Sequence, residues 1–209
     1  QEKSTFRLIQ VEPVKDIREL SITFPLPGIR QLYKSKPGRQ FGSILGYEGK
    51  GSLLSYLKKK GWASTLSAGA GSTTNDYASA SIRIGLTKAG LSKYKQVLKA
   101  TMSYIDLMRK TDRPEYIFNE LKAMSKLEET YSNKGEGMWR ATELANEVMM
   151  YPAEDAGRIN YIYENKDSKD YNDLLSHVKP QNMLVALTAK GVKVDKTEHF
   201  YQTKYSYSE

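Results

Sequence analysis

The sequence has no cysteine among its 209 residues and contains only two histidines, His177 and His199. The absence of cysteine excludes disulfide bridges and thiolate metal sites, while an oxidising and a reducing compartment both stay open. Neither histidine has a second histidine three or four residues away, so the helical histidine pair of many metal sites is excluded. We therefore expect both histidines to face solvent or to make structural hydrogen bonds.

Long apolar runs are also absent, since no stretch approaches the roughly 20 residues that span a bilayer. The first ten residues, QEKSTFRLIQ, lack the basic-then-apolar layout of a signal peptide. We expect no membrane span in this chain. Because we also expect the chain to be a piece of a longer protein, a signal upstream of it stays open.

Acidic residues are outnumbered, with 24 of them against 32 lysines and arginines, for a net charge of +8. Such an excess is compatible with nucleic acid, an anionic surface or simple solubility. We interpret the charge as spread along the chain, with its densest run at Lys58, Lys59 and Lys60, where cations suit the C-terminal end of a predicted helix. No aromatic RNA-binding strand and no basic recognition helix is visible, so no nucleic-acid partner is predicted.

Hydrophobic residues make up 39% of the chain, which is typical of a globular protein. Alternating apolar residues predict strands over 6–12, 18–24, 62–70, 76–86 and 183–189. Apolar residues at helical spacing and capping signals predict helices over 37–47, 51–60, 91–110, 112–131, 138–148 and 168–177. The prolines Pro25 and Pro27 are expected to end the second strand.

Two long helices carry apolar stripes that we expect to pack on the sheet. The first stripe consists of Leu91, Tyr94, Leu98, Met102, Ile105 and Met108. The second consists of Ile117, Leu121, Met124, Leu127 and Tyr131. Asp112 followed by Glu115 is typical of a helix N-terminus, so the second helix is predicted to begin at Asp112. The sequence therefore predicts an α+β fold, a mainly antiparallel sheet with helices packed on it, in one domain over residues 1–209.

Several short motifs occur in a characteristic order. They are GYEGKGSLL at 46–54, KGW at 60–62, LSAG at 66–69, LTKAGL at 86–91 and Tyr151-Pro152. Together they resemble the second, non-catalytic domain of the insulinase/pitrilysin-type (inverzincin) zinc metallopeptidases. The resemblance runs from about residue 6 to residue 205.

The resemblance implies a four-domain peptidase that closes like a clamshell around a chamber, with zinc held by an H-x-x-E-H helix of its first domain. The corresponding positions here are 43–47, where Ser43, Gly46 and Tyr47 replace the two histidines and the glutamate. We therefore predict no catalytic residue, no metal ligand and no cofactor in this chain, and zinc in the catalytic domain of the parent. The remaining carboxylate pair, Glu128 and Glu129, is interpreted as a solvated helix face.

The resemblance also implies an exosite, where the second domain pairs with the N-terminal segment of a peptide substrate. The matching positions are Gly46, Glu48, Leu66, Ser67, Ala68 and Gly69. A sheet edge offers unpaired N–H and C=O groups, and small residues allow a second backbone to approach. A carboxylate at Glu48 would attract a free α-amino group.

An alternative stays open, in which residues 66–69 pair wholly within the domain's own sheet and Glu48 caps a neighbouring helix. The domain would then be purely structural and would dock the catalytic domain. The predicted partners are accordingly the other domains of the same polypeptide and, under the first hypothesis, a peptide. The compartment is periplasmic if the parent is a bacterial pitrilysin-like enzyme, with the cytoplasm as the alternative.

Overall fold

The computed structural model describes residues 7–72, 74–132, 135 and 137–208. Within these ranges the strands are β1 (Arg7–Glu12), β2 (Arg18–Pro27), β3 (Ala63–Ser72), β4 (Tyr77–Leu86), β5 (Leu184–Ala189), β6 (Lys196–Thr197) and β7 (Lys204–Ser208). The helices are α1 (Pro37–Leu45), α2 (Leu53–Lys59), α3 (Lys88–Ser92), α4 (Tyr94–Lys110), α5 (Glu115–Tyr131), α6 (Gly137–Val148) and α7 (Lys169–His177).

The strands form one sheet in the order β3-β4-β2-β5-β1-β7-β6. Neighbouring strands run antiparallel, with the exception of β1 and β5, which run parallel. The predicted α+β fold with a mainly antiparallel sheet is thus confirmed. Strands from both ends of the chain lie side by side in this sheet, because β1 pairs with both β5 and β7.

The centre of the core is formed by the alternating residues of β2 and β4. Leu20 pairs with Ile84 and Ile22 with Ile82, and all four side chains are fully buried. Since side chains of a strand alternate between the two faces, each strand presents its apolar set to the same layer of helices. This alternation is the signal from which the strands were predicted.

Helix α4 contributes the helical side of the core. Met102, Ile105 and Met108 are buried, as the first apolar stripe predicts, together with Val97 and Thr101. The stripe residues Leu91, Tyr94 and Leu98 are partly buried and pack against the core. The first long helix is therefore a core element, and its N-terminal turn is a separate short helix, α3.

Strand β2 does not stop at Phe24, which corrects the prediction that Pro25 and Pro27 end it. It continues to Pro27, with Pro25 opposite Ser79 on β4. The pairing of β2 with β5 ends at Thr23, so the prolines lie where β2 has one strand neighbour. A missing N–H costs no ladder hydrogen bond when it faces an unpaired side.

Helix α5 departs from the prediction in two ways. It begins at Glu115, and Asp112 does not cap it, since Pro114 occupies the N-cap position without a side-chain hydrogen bond. Its stripe is buried only near its start, at Ile117, and is exposed by 51% at Met124, 59% at Leu127 and 82% at Tyr131. The physical reason is that α5 packs chiefly against α1 and not on the sheet.

Candidate functional site

Strand β3 lies at one end of the sheet and has β4 as its strand neighbour. In the part of the chain that the structure describes, residues 63–71 make no backbone–backbone hydrogen bond outside the ladder with β4. The backbone groups that face away from β4 are therefore an unpaired edge. This edge contains all four residues of the predicted segment Leu66–Gly69.

The side chains of this segment differ in what they offer to a ligand. Leu66 is buried and packs in the core, whereas Ser67 is exposed. Ala68 and Gly69 are partly exposed. Leu66 can thus contribute only its backbone, and the small neighbours leave room for a second chain to approach the edge.

Helix α1 lies directly against the backbone of β3 through two glycines. A Cβ atom on Gly38 would lie 2.2 Å from the carbonyl oxygen of Ala70, and one on Gly42 would lie 2.7 Å from that of Ala68. Any larger side chain would collide with the strand, so the glycines fix the close approach of helix and strand. The helix therefore positions β3 from one side.

The same helix brings Gly46 to the predicted strand segment. Gly46 is the C-cap residue of α1, and a Cβ atom there would lie 3.9 Å from the amide nitrogen of Ala68. Two of the six predicted exosite residues thus come from different elements and meet in space. Tyr47 follows outside the helix, because α1 ends at Leu45 and not at Tyr47 as predicted.

Glu48 is exposed, and its carboxylate lies 3.4 Å from the amine of Lys58 on α2. An exposed pair of this kind contributes about 0–1 kcal/mol to stability. Glu48 does not cap α2, since the cap is Ser52, whose hydroxyl accepts a hydrogen bond from the N–H of Ser55. Its carboxylate therefore stays accessible to an incoming cation that can displace Lys58.

Metal-binding groups are not assembled in the described part of the chain, where no cluster of three or more His, Asp or Glu residues could hold a metal ion. His177 and His199 are exposed, as expected. Glu129 accepts a hydrogen bond from Arg158 Nε at 2.5 Å, and this contact lowers the pKa of the Glu129 carboxyl. Glu129 is therefore part of a surface ion pair.

Sequence reasoning missed the helical partner of the edge. Gly38, Gly42 and Gly46 recur every fourth residue of the predicted helix, which places them on one face. That spacing is a readable signal for close packing against another backbone. A second feature that no sequence pattern predicted is a cavity beyond Gly69, lined by Ala70, Gly71 and other residues of this region.

The structure is an α+β domain with an open-edged sheet backed by a glycine-faced helix, and Ser43, Gly46 and Tyr47 occupy the positions that the resemblance assigns to the zinc motif. The family comparison agrees with this class. Residues 1–125 match the model of the peptidase M16 inactive domain, and residues 130–209 match that of the middle or third domain of peptidase M16. The chain belongs to the insulinase/pitrilysin-type M16 peptidase family and corresponds to its non-catalytic part.

Similar curated proteins include a nardilysin-like protein of Arabidopsis thaliana, 34% identical over 200 residues, which covers 94% of this chain and 19% of that protein. The A-factor-processing enzyme of Saccharomyces cerevisiae is 33% identical over 203 residues, covering 95% of this chain and 20% of that enzyme. The insulin-degrading enzyme of Homo sapiens is 32% identical over 207 residues, covering 98% of this chain and 20% of that enzyme. The chain thus spans about a fifth of the length of these relatives.

Solved structures confirm the fold. The crystal structure of pitrilysin matches with a TM-score of 0.87 at 23% identity, covering 99% of this chain and 22% of that one. A protease from Helicobacter pylori matches with a TM-score of 0.60 at 14% identity, covering 90% of this chain and 45% of that one. None of the described helices has the length and apolar character needed to cross a membrane.

Proposed function

We propose that this chain forms part of the wall of the substrate chamber of a zinc metalloendopeptidase and anchors the N-terminal residues of an extended peptide. The observation that carries the proposal is the unpaired edge of β3 over Leu66–Gly69. A peptide backbone that pairs with this edge would add an eighth strand to the sheet.

The chemistry of the edge supports a weak and sequence-tolerant anchor. Each backbone hydrogen bond contributes about 0.5–1.5 kcal/mol net, and ordering the peptide offsets much of a short ladder. Ser67, Ala68 and Gly69 offer little side-chain surface for discrimination. Glu48 adds a preference for a free α-amine, which would compete with Lys58 for the exposed carboxylate.

Catalysis and zinc belong to another part of a longer parent protein under this proposal. The motif positions Ser43, Gly46 and Tyr47 lack both ligands and the general base. We expect the purified chain to bind no stoichiometric zinc in elemental analysis and to leave peptides uncleaved. Stoichiometric zinc with chelator-sensitive turnover would contradict the assignment, and an H-x-x-E-H motif upstream of Gln1 in the parent gene would support it.

The anchoring role is tested by removing one N–H from the edge. In Ala68→Pro the ring nitrogen cannot donate, so an extended peptide should bind at least about tenfold more weakly if the ladder carries the affinity. Ser67→Ala is the matched control, because it removes an exposed side chain next to it and keeps both backbone groups. Circular dichroism and a denaturant melt must show that both variants fold. Unchanged peptide binding in folded Ala68→Pro would refute anchoring by β3.

The role of Glu48 has a separate test. Glu48→Gln should weaken a peptide with a free α-amine by about 1 kcal/mol, the upper end for an exposed charge pair. The acetylated form of the same peptide, which has no amine charge, should bind Glu48→Gln and the unchanged chain equally. Equal losses for both peptides would mean that Glu48 does not recognise the α-amine.

A second role, docking of a neighbouring domain, is favoured by one observation. Large apolar side chains of α5 and α6 are exposed, by 59% at Leu127, 68% at Trp139 and 71% at Met138. Surfaces of this kind are usually covered by another protein surface. If the β3 variants in the full-length parent change the hydrolysis of short and long peptides equally, docking is the role that remains.

We further infer that residues 1–209 fold as one domain. The support is the sheet, in which β5 and β7 from the second matched segment pair with β1 from the first. Unfolding should then be a single cooperative transition with coincident circular dichroism and fluorescence curves. Two separated transitions would divide the chain near residue 128.

A further inference from the structure

A cavity of about 340 Å³ opens at the Ser72 end of the β3 edge. Ala70, Gly71 and Ser72 form its wall on the β3 side, and the first residues of α1 form another wall. Ser72 lies three residues beyond Gly69, which is about 10 Å along an extended strand. A peptide paired with Leu66–Gly69 and continuing along the edge would therefore bring a side chain to this cavity.

Three cationic side chains line the cavity, Arg30, Lys36 and Arg39, and none of the described lining residues is acidic. Arg30 donates hydrogen bonds to Asn75 Oδ1 at 2.7 Å and to the sulfur of Met150 at 3.3 Å. Lys36 donates to the carbonyl oxygen of Ile159 at 2.5 Å. Their partners are thus neutral groups.

The cavity has no carboxylate of its own to neutralise these cations. Within the described residues, none of the three forms an ion pair with Asp or Glu. Asp155 lies near the cavity residue Tyr33 but is already engaged, since it accepts a hydrogen bond from Tyr33 Oη at 2.6 Å and lies 3.2 Å from Lys34 Nζ.

Lys36 and Arg39 lie close enough for their charges to repel each other. Burial, followed by the charge of Arg39, lowers the pKa of the Lys36 amine to about 8. An anion placed beside Lys36 and Arg39 would relieve this repulsion. Guanidinium groups bind carboxylates with strong, charge-assisted hydrogen bonds, so a carboxylate is the complementary ligand.

We propose that this cavity is a subsite for an acidic side chain of the anchored peptide, so that the site prefers peptides with Asp or Glu a few residues along from the segment held by Leu66–Gly69. The proposal rests on the proposed strand addition at β3. The subsite would add selectivity for one side chain to an anchor that otherwise recognises only the peptide backbone.

The test uses the 209-residue chain and a set of twelve-residue neutral peptides with a free N-terminus and a fluorophore at the C-terminus. One Glu is moved from position 2 to position 9, with Gln at the same position as its reference, and Kd is measured by fluorescence anisotropy. At one position Glu should lower Kd at least about fivefold relative to Gln. Elsewhere along the peptide the Glu to Gln ratio should stay close to one.

Arg39→Gln should abolish the Glu preference, since it removes an exposed guanidinium from the cavity. Because Arg39 also interacts with the hydroxyl of the buried Tyr163, circular dichroism must show that the variant folds. Arg83→Gln is the matched control, because Arg83 is an exposed cation opposite Ser67 in the register and does not line the cavity. It should keep the position-specific preference.

The failures of the two proposals can be told apart. Measurable binding with no Glu preference at any position overturns the subsite and leaves the anchor standing. A preference that survives Arg39→Gln, or that Arg83→Gln removes equally, overturns the subsite as well. Absence of binding by every peptide overturns the anchor and the subsite together.

Discussion

Replacing Gly38 by alanine tests whether α1 and β3 are as closely packed as the structure indicates. The new Cβ atom would lie 2.2 Å from the carbonyl oxygen of Ala70 and 2.9 Å from its carbonyl carbon. An ordinary contact needs more than 3 Å, so helix and strand must separate by about 1 Å. Forcing extra atoms into a packed interface costs about 1–3 kcal/mol.

Alanine also has an advantage of about 0.5–1 kcal/mol over glycine within a helix, which partly offsets this cost. We therefore expect Gly38→Ala to lower the free energy of unfolding by about 1–2 kcal/mol. Gly137→Ala is the matched control, since Gly137 begins α6 with nothing within 4 Å of its added Cβ atom. It should be neutral or stabilising.

Urea unfolding followed by circular dichroism gives both free energies. An increase in stability for Gly38→Ala, comparable with that of Gly137→Ala, would refute the packing of α1 on the β3 backbone. Because α1 also supports the edge, the destabilised variant should bind the extended peptide more weakly than the unchanged chain does under folding conditions.

The remaining predictions concern the core and one buried amine. Ile105→Ala should cost about 2–5 kcal/mol, because Ile105 is fully buried, whereas Leu127→Ala, at a side chain exposed by 59%, should change stability by less than about 0.5 kcal/mol in the same urea assay. The amine of Lys36 has its pKa lowered to about 8, chiefly by burial, so between pH 8 and about 9.5 the folded chain holds fewer protons than the unfolded chain. Stability should therefore rise with pH over that window, by about 1 kcal/mol after allowance for solvent screening, and Lys36→Met should abolish the rise. Four tyrosines, Tyr33, Tyr104, Tyr163 and Tyr171, have raised pKa values and oppose the rise near its upper limit, so the unchanged chain is compared with Lys36→Met. Identical pH profiles for the two proteins would contradict the half-buried position of this amine.

Much of the fold could be predicted from periodicity, because β2, β4 and α4 each have one face in the core. The alternation of Leu20, Ile22 and Phe24 and the helical spacing of Met102 and Ile105 record that burial directly. Gly61 directly follows the helix predicted over 51–60 and adopts a positive φ of 70°, which is typical of a glycine that ends a helix.

The sequence-based predictions were wrong or incomplete where apolar periodicity or composition does not reflect burial in the core. Met124 and Leu127 continue a helical stripe, yet their side chains are exposed by 51% and 59%, because α5 packs chiefly against α1 and not on the sheet. The strands β6 and β7 were not predicted, since their tyrosines, lysines and serines carry no clear apolar alternation. The charge was interpreted as spread out, whereas residues 50–105 contain nine basic residues and one acidic residue and so account for the whole surplus.

Part of the candidate site could be predicted from the sequence, and part of it could not. Its strand segment and Gly46 could be identified from the resemblance, because short motifs mark them. That β3 has a free edge depends on sheet order, which no local pattern records. The cavity lined by Arg30, Lys36 and Arg39 could not be predicted either, because the tertiary fold brings residues from distant parts of the sequence together there.

Amide hydrogen exchange along β3 tests the central claim most directly. The chain is measured alone and with a saturating extended peptide, and exchange is resolved for residues 66–70. If the peptide pairs with the edge, amides that face away from β4 should exchange at least about tenfold more slowly in the complex, because they become hydrogen bonded. A peptide that binds, protects other amides and leaves β3 unchanged would contradict strand addition at this edge.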